Sequence, residues 1–423
     1  MKKISLTVIM ATMLICGCSA ESGKLDVPPA RDGLATPENL AWWSRAAIDA
    51  TMRFSAWSGS HSGSIALFAR DGVAIYSNAA GWKDIASEQP MTVDTPMRIA
   101  SMTKPITATA AMVLVQEGLL GLDDPVADYL PEFAMLRVAT RETPNADGSF
   151  PSVPASTILT VRHLLTFSSG IGPGRDKDSA LVAYWDEQGI YDQPAGELAD
   201  RVTLLAQLPL LEEPGTRWRY GFSLDVLARV IEVISGDSIS EFLQERILQP
   251  LGMEDTGYLP PPAERDIFAT VYTQDEEGGL INAPLPYDTS WTPGGGGMVS
   301  TASDYMRFAL MLWNGGEYQG VRILEQGTVD DMHRLHVKDG VLSDEDIEGL
   351  GWGLGVAVVA DEHATVMPDR TGDFWWSGYY GTTFFISPKT GLVGVIMSQN
   401  EPGEFSGLPI EIFIVQGIAF AGL

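Results

Sequence analysis

A serine and a lysine stand three positions apart in the segment RIASMTKPITATAAM, residues 98–112. This spacing puts Ser101 and Lys104 on one face of a helix, so the amine can reach the hydroxyl. Pro105 has no N–H and is tolerated only in the first turn of a helix. Ser101 is therefore predicted at the helix N-terminus, where free N–H groups can stabilise an oxyanion.

A lysine can take the serine proton only as an uncharged amine, because an ammonium group cannot accept a proton. Desolvation or a nearby cation lowers the pKa of a lysine and makes it a base. The apolar neighbours Ile99 and Ile106 predict a dry setting for Lys104. The same spacing is also common on solvated helices, so the pair alone does not establish a catalytic site.

The elements around this pair predict an α+β fold. SGSIALFARDGVAIYSNAAGW is typical of two strands joined by a tight turn at Asp71-Gly72. After residue 350 the apolar runs LGWGLGVAVV, GTTFFISP and GLVGVIMSQ indicate further strands, and a final helix begins near residue 408. The simplest arrangement is one antiparallel sheet flanked by terminal helices, with a mostly helical lobe inserted.

The domain boundaries follow from this order. One domain is predicted over 36–423. Its α/β lobe takes about 36–125 and 290–423. The helical lobe takes about 126–290, where helices alternate with loops that contain proline and glycine.

The N-terminus has the features of an export signal. MKK is followed by the apolar run ISLTVIMATMLI, and ICGC ends at Cys18. This resembles a bacterial lipoprotein signal, with residues 1–17 removed, Cys18 lipidated and residues 18–35 as a tether. It implies the periplasmic face of a bacterial membrane, most simply the outer membrane. The alternative is an ordinary secretory signal whose cleavage removes Cys18.

Composition excludes several classes of function. The formal net charge of -28 argues against binding DNA or RNA. Cys16 and Cys18 are the two cysteines, so the exported domain has no disulfide, no cysteine-ligated metal and no catalytic thiol. No cofactor is indicated.

Other groups of residues give only weak indications of a metal or phosphate site. His333 and His336 lack a third ligand, so a solvated helix face is expected there rather than a metal site. His163 is expected to cap or pack a helix. The glycines 294–297 lack the G-K-[ST] that follows a phosphate-binding loop.

Several further motifs occur in a fixed order with the serine–lysine pair. EPGTRWRYGFSLDVLARVIE, residues 213–232, contains Tyr220, and LTVRHLLTFSSG, ILQPLGMEDTGY and GGGGMVSTASDY are the others. Together with PMRIASMTKPIT they resemble the serine β-lactamase-like hydrolases, especially class C β-lactamases and related esterases, over about residues 40–400. The resemblance implies a β-lactamase/transpeptidase-like fold with Ser101, Lys104 and Tyr220 as catalytic residues, the tyrosine relaying protons.

This family carries a third motif on a strand edge, often K-T-G. Lys389-Thr390-Gly391 matches those letters, but it lies between two apolar runs beside Pro388 and is predicted to be a hairpin turn. Trp376-Ser377-Gly378 is the better match, because it precedes GTTFFI by the interval that the family shows. The resemblance then implies an oxyanion hole formed by the backbone N–H groups of Tyr379 and Ser101.

Departures from the β-lactamase pattern bear on the substrate. Phe222 stands where the family usually has asparagine, and the third motif lacks a lysine for a carboxylate. With Trp375, Trp376, Tyr379 and Tyr380, Phe222 indicates an aromatic acyl pocket of low charge. The expected function is a carboxylesterase for small neutral esters. The alternatives are a β-lactamase, a peptidase or amidase, or a non-catalytic binding lipoprotein.

Overall fold

In the computed structural model the chain is described over residues 40–141, 143–172, 179–190, 197–258, 267–283, 292–337, 349–360, 370–401 and 410–423. The predicted signal peptide and tether, with Cys18, lie outside these ranges. So does the start of the first predicted helix, which the structure describes from Trp42 onward.

Helices form both ends of the described chain and most of its middle. Their bounds are α1 Trp42–Trp57, α2 Thr103–Gln116, α3 Val161–Leu165, α4 Ala180–Glu187, α5 Leu198–Gln207, α6 Ser223–Ser235, α7 Ile239–Leu243, α8 Ala302–Trp313, α9 Gln326–Met332 and α10 Ile410–Ala421.

Strands lie mainly before residue 100 and after residue 290. Their bounds are β1 Gly63–Arg70, β2 Val73–Asp84, β3 Gln89–Pro90, β4 Met97–Arg98, β5 Arg137–Ala139, β6 Ser152–Pro154, β7 Gly257–Tyr258, β8 Tyr272–Gln274, β9 Leu280–Asn282, β10 Met298–Ser300, β11 Glu317–Tyr318, β12 Val321–Arg322, β13 Leu350–Trp352, β14 Ala357–Val359, β15 Phe374–Gly378, β16 Thr382–Ser387 and β17 Leu392–Ser398.

The main sheet joins the two ends of the chain. Its eight strands run in the order β13-β14-β15-β16-β17-β1-β2-β3, and each neighbouring pair is antiparallel. The predicted turn at Asp71-Gly72 connects β1 to β2, with both residues at positive φ. The α+β prediction with one antiparallel sheet is confirmed.

The two faces of the sheet bury different helices, because successive side chains of a strand point to opposite sides. On β1, Ala66 and Phe68 pack with α1 and α10, whereas Ile65 and Leu67 belong to the core that contains α2 and α8. The site described below lies in the second of these layers.

A small sheet of three strands, in the order β4-β10-β7, carries the segment that leads to Ser101. Arg98 pairs with Val299, and the Ile99 N–H donates to the Met298 carbonyl at 3.0 Å. This pairing brings the chain that precedes α2 next to the glycines 294–297, which are distant in sequence.

Among the described helices, none is long and apolar enough to cross a membrane.

Candidate active site

Ser101 lies in a tight turn between a short strand and a helix. The 3₁₀ turn Ala100–Met102 follows β4 and leads directly into α2. Ala100 has a φ of 42°, in the left-handed region that residues with a Cβ rarely adopt. The turn is held by Tyr305, whose buried hydroxyl donates to the Met102 carbonyl at 2.8 Å. The backbone thus presents Ser101 at the N-terminal end of α2, as the sequence predicts.

Lys104 is buried beside the serine, with 4% of its surface exposed. Its Nζ donates to Ser101 Oγ at 3.1 Å and to the Gly295 carbonyl at 2.5 Å. The same nitrogen lies 4.6 Å from the centroid of the Tyr220 ring. The predicted dry setting is confirmed, since Ile99 and Ile106 are fully buried on either side.

Tyr220 reaches the same serine from the helical lobe. Its hydroxyl donates to Ser101 Oγ at 2.7 Å. Its ring stacks on Phe167 at a centroid distance of 5.3 Å and on Trp218 at 6.1 Å. Two side chains that are distant in sequence, Lys104 and Tyr220, therefore meet at the Ser101 hydroxyl oxygen, and packing holds the tyrosine in place.

The loop that carries Tyr220 passes very close to another loop. A Cβ on Gly221 would collide with the backbone of Gly172, and a Cβ on Gly172 would collide with Gly221. Gly172 also has a φ of 145°, which glycine adopts readily. Both residues must be glycine for Tyr220 to sit at its observed depth.

Asp225 is a functional candidate that the sequence reasoning missed. It is 3% exposed, and its Oδ1 accepts from the Gly295 N–H at 3.2 Å. A Cβ on Gly295 would lie 3.1 Å from Asp225 Oδ2 and 3.3 Å from Lys104 Nζ. The Gly295 peptide therefore links the lysine, through its carbonyl, to the carboxyl group, through its N–H.

The pKa of Asp225 is raised, and burial is the main cause. The charge of Lys104 and the hydrogen bond from Gly295 oppose that shift. The sequence feature that could have identified Asp225 is its position as an acid in the first turn of α6, inside the apolar run Leu224 to Ala228. An acid on the buried face of a helix needs a partner.

The glycines 294–297 act as a packing element rather than as a phosphate loop. A Cβ on Gly294 would collide with the Leu224 carbonyl and crowd Ala228 of α6. The Gly294 carbonyl accepts from the Thr107 hydroxyl of α2 at 2.7 Å. The loop fits between α2 and α6 and places Gly295 between the lysine and the aspartate.

The strand β15 borders the serine turn on another side. A Cβ on Gly378 would collide with the Ile99 carbonyl, so only glycine allows the strand to approach this closely. Trp376 of the same strand lies 5.6 Å from the Tyr220 ring and 4.6 Å, edge to face, from Trp352. These rings, with Trp218, form an aromatic wall beside the nucleophile.

The other predicted pocket residues lie on β15, just after it, or just before α6. Ser377 lies on β15 opposite Thr383 of β16. Tyr379 follows the strand and is 54% exposed, whereas Tyr380 is buried. Phe222 directly precedes α6, and its ring lies 6.0 Å from the Arg201 guanidinium carbon. Trp352 and Trp218 were not singled out from the sequence.

Lys389 lies in the turn between β16 and β17, as predicted. Thr382 at the start of β16 lies against the serine turn, where its hydroxyl donates to the Ile99 carbonyl at 3.4 Å. Six residues of strand and turn separate it from Lys389, a span of about 20 Å. The K-T-G segment therefore lies beyond the end of β16 that is distant from the serine turn.

The histidine predictions had mixed outcomes. His163 caps α3 reciprocally with Thr160, which confirms its helix-capping assignment. The expected solvated face at His333 and His336 was wrong, because both side chains are largely buried. His333 stacks on Phe374 at 4.7 Å, and His336 Nε2 lies 3.2 Å from an Asp331 oxygen. Within the described ranges no group of acids, histidines and cysteines is arranged to hold a metal.

Known proteins share both the sequence and the architecture. Residues 45–416 match the sequence model of the family named Beta-lactamase. Protein Rv1367c of Mycobacterium tuberculosis is 34% identical over 337 residues, which cover 77% of this chain and 82% of that protein. Esterase EstB of Burkholderia gladioli is 32% identical over 371 residues, or 82% of this chain and 88% of that esterase.

A solved structure extends the similarity to three dimensions. EstCE1, described as a hydrolase with promiscuous acyltransferase activity, superposes with a TM-score of 0.74 at 27% identity. The alignment covers 89% of this chain and 99% of EstCE1. The shared architecture therefore includes the strand-forming ends of the chain and its helical middle.

Proposed function

The chain belongs to the beta-lactamase family and is a serine hydrolase; we propose that it cleaves small neutral carboxylic esters through an acyl-enzyme on Ser101. The observation that supports this most directly is the geometry at one oxygen. Ser101 Oγ lies 3.1 Å from Lys104 Nζ and 2.7 Å from the Tyr220 hydroxyl. A nucleophile needs a base within this distance, and here it has a second proton carrier as well.

In the proposed first step, the Lys104 amine takes the Ser101 proton as Oγ attacks the ester carbonyl. The new Oγ–C bond forms while the carbonyl electron pair moves onto oxygen. The N–H groups of Ser101 and Tyr379 are proposed to hold this oxyanion. Lys104 is buried, so bulk water is kept away from this proton transfer.

In the second step the oxyanion collapses and the C–O bond to the alcohol breaks. The Tyr220 hydroxyl gives its proton to the departing alkoxide, and the Lys104 ammonium returns a proton to the tyrosine. Water then attacks the acyl-enzyme while the same pair removes its proton, which releases the carboxylic acid and restores Ser101. A hydroxyl can both donate and accept, so Tyr220 can carry protons in both directions.

The aromatic wall supports an ester over a lactam as the substrate. Trp376 and Trp218 contact the Tyr220 ring, and Trp352 packs against both of these tryptophans. Phe222 takes the sequence position at which the family usually has an amide side chain. Such a wall offers an acyl group apolar surface and provides no amide to recognise a lactam or peptide bond.

A panel of substrates tests this proposal. We expect turnover of p-nitrophenyl acetate and butyrate with much lower or no turnover of nitrocefin, D-aminoacyl peptides and linear peptides. Faster cleavage of nitrocefin or of a peptide would assign the site to a lactam or an amide instead. Failure of a fluorophosphonate to label Ser101 would indicate a non-catalytic binding protein.

Substitutions of Trp376 and Lys389 distinguish between the two candidate segments for the third motif. We expect Lys389→Ala to leave kcat/KM for every ester within about twofold, because the residue lies about 20 Å along the strand from the serine turn. Trp376→Ala should change the ratio of kcat/KM between acetate and butyrate esters, since it removes part of the wall.

Both variants need a thermal unfolding curve, because removing a large aromatic side chain costs about 3 kcal/mol of stability. A large loss of activity in folded Lys389→Ala would show that the K-T-G segment, and not β15, supplies the third motif.

The raised pKa of Asp225 predicts how the free energy of unfolding depends on pH. Its raised pKa means that the folded protein holds this proton more tightly than the unfolded chain. That contribution is complete below the unfolded carboxyl pKa of about 4 and is lost as pH rises through the raised value. We expect the free energy of unfolding of the wild type to fall, relative to Asp225→Asn, as pH increases above about 4. Urea unfolding of both proteins across this range measures the difference.

The same variant tests whether the carboxylate acts on Lys104 through Gly295. Asparagine can still accept from the Gly295 N–H but carries no charge. We expect the pH profile of kcat/KM to differ between the wild type and Asp225→Asn, because only the wild type has a carboxyl group that titrates beside Lys104. Identical profiles would mean that Asp225 serves only packing.

We propose that the protein is exported and anchored through lipid on Cys18, at the periplasmic face of a bacterial outer membrane. The lipoprotein-like sequence MKK, apolar run and ICGC supports this. Labelled palmitate should be incorporated into the wild type and not into Cys18→Ser. Equal labelling of both, or none in either, would favour an ordinary secretory signal.

A further inference from the structure

The outer face of α1 is almost entirely apolar. The exposed residues of this helix are Trp42, Trp43, Ala46, Ala50, Arg53, Phe54 and Trp57. Trp42 is 81% exposed, and Phe54 lies 5.7 Å from Trp57 between ring centroids. At 100° per residue these positions fall within one continuous stripe along the helix. We call this stripe the aromatic face.

The aromatic face is not needed to hold the helix in place. The opposite side of α1 buries Ile48 and Met52 against the sheet and α10. Ser44 donates to the Ile418 carbonyl at 2.9 Å, and the Ala41 N–H donates to Gly422 at 3.0 Å. The inner side of the helix is therefore packed, and on the outer side Trp42 is 81% exposed and Trp43 and Trp57 are each 38% exposed.

The charge of this helix differs from that of the chain. α1 contains Arg45 and Arg53 against one acid, Asp49, whereas the chain carries a net -28. Asp49 Oδ1 accepts from the Tyr76 hydroxyl at 2.6 Å and from Asn78 at 2.8 Å, so this carboxylate faces the sheet. The outward side is thus left with one cation among aromatic rings, which suits an anionic, partly apolar surface.

From these features we propose that the aromatic face of α1 lies in the headgroup region of a phospholipid bilayer. Indole rings with an apolar body and one N–H favour the membrane–water boundary, and arginine pairs there with lipid phosphates. The face begins 24 residues after Cys18, the proposed lipid site. Twenty-four residues span at most about 85 Å when fully extended, so a lipid on Cys18 would keep the face within this distance of the membrane.

Docking in this way fixes which side of the domain meets the membrane. α1 covers one face of the main sheet, and Ser101 lies in the layer on the other face with α2. The nucleophile is then directed away from the bilayer. Its substrates reach it from the aqueous compartment, in agreement with small esters rather than membrane lipids.

The test uses the mature chain, residues 18–423, with Cys18→Ser, so that lipid on the cysteine contributes nothing. Binding to vesicles of phosphatidylethanolamine and phosphatidylglycerol is measured by cosedimentation. One variant replaces the aromatic face residues Trp42, Trp43, Phe54 and Trp57 with serine. A matched control replaces three exposed apolar residues outside α1, Leu119, Met135 and Ile158, with serine.

We expect the parent and the control to bind and the aromatic-face variant to bind at least about tenfold more weakly. Ester hydrolysis should be the same in all three proteins, which shows that each is folded. No binding by the parent, or equal binding by all three, overturns the proposal. So does a dimer that the aromatic-face variant abolishes without any vesicle binding, because the occupant is then a second copy. Failure of this test leaves the esterase proposal and the Cys18 proposal unaffected.

Discussion

Ser101→Ala should lower kcat/KM for p-nitrophenyl butyrate by at least about a thousandfold. The reason is that Oγ is the atom on which Lys104 Nζ and the Tyr220 hydroxyl converge, at 3.1 and 2.7 Å. Without that oxygen neither group has a nucleophile to activate. The residual rate comes from binding and from N–H groups that still stabilise an oxyanion.

The fold should survive this change. Ser101 is partly exposed and its removal deletes one oxygen, so the free energy of unfolding is expected to shift by less than about 1.5 kcal/mol. Ser303→Ala is the matched control, because it removes a serine hydroxyl that bonds to Asp94 at the surface of α8. A folded Ser101→Ala protein that still hydrolyses esters would place the nucleophile elsewhere.

Covalent labelling makes the same point by a different measurement. A fluorophosphonate should add once to the wild type, on the peptide that contains Ser101, and not to Ser101→Ala. Intact mass and peptide mapping read this directly. Labelling at another serine contradicts the assignment even if Ser101→Ala is inactive for some other reason.

The sequence predicted the local part of the site well. Lys104 lies three residues after Ser101, so helix geometry alone places the amine near the hydroxyl. Burial of Lys104 also followed from its apolar neighbours Ile99 and Ile106. The sheet could be inferred because its strands are apolar runs bounded by turns, which local pattern reveals.

Contacts between distant segments could not be obtained this way. Tyr220 is separated from Ser101 by 119 residues, and only the resemblance to a known family paired them. Gly295 contacts Asp225 across 70 residues and Lys104 across 191, and no sequence periodicity indicates such contacts. The glycines 294–297 were considered as a phosphate loop and rejected, but their packing against α6 depends on backbone proximity.

The prediction of a solvated face at His333 and His336 was wrong for a related reason. His333 and His336 follow the end of a short helix, and their spacing fits an exposed face. Burial came from β15, whose Phe374 stacks on His333, and from Asp331, which meets His336. A long-range strand and a turn thus override what the local pattern predicts.

Tyr220→Phe is expected to produce the second largest loss, about a hundredfold to ten-thousandfold in kcat/KM. The ring stacking on Phe167 and Trp218 is retained, so the change removes the hydroxyl and little else. If this hydroxyl protonates the leaving alkoxide, its loss must matter more for an ethyl ester than for the p-nitrophenyl ester of the same acid. The p-nitrophenolate anion can leave without being protonated, whereas ethoxide has to be protonated as it leaves. Equal losses with both esters would show that Tyr220 only orients Ser101, and the proton would then have to come directly from Lys104.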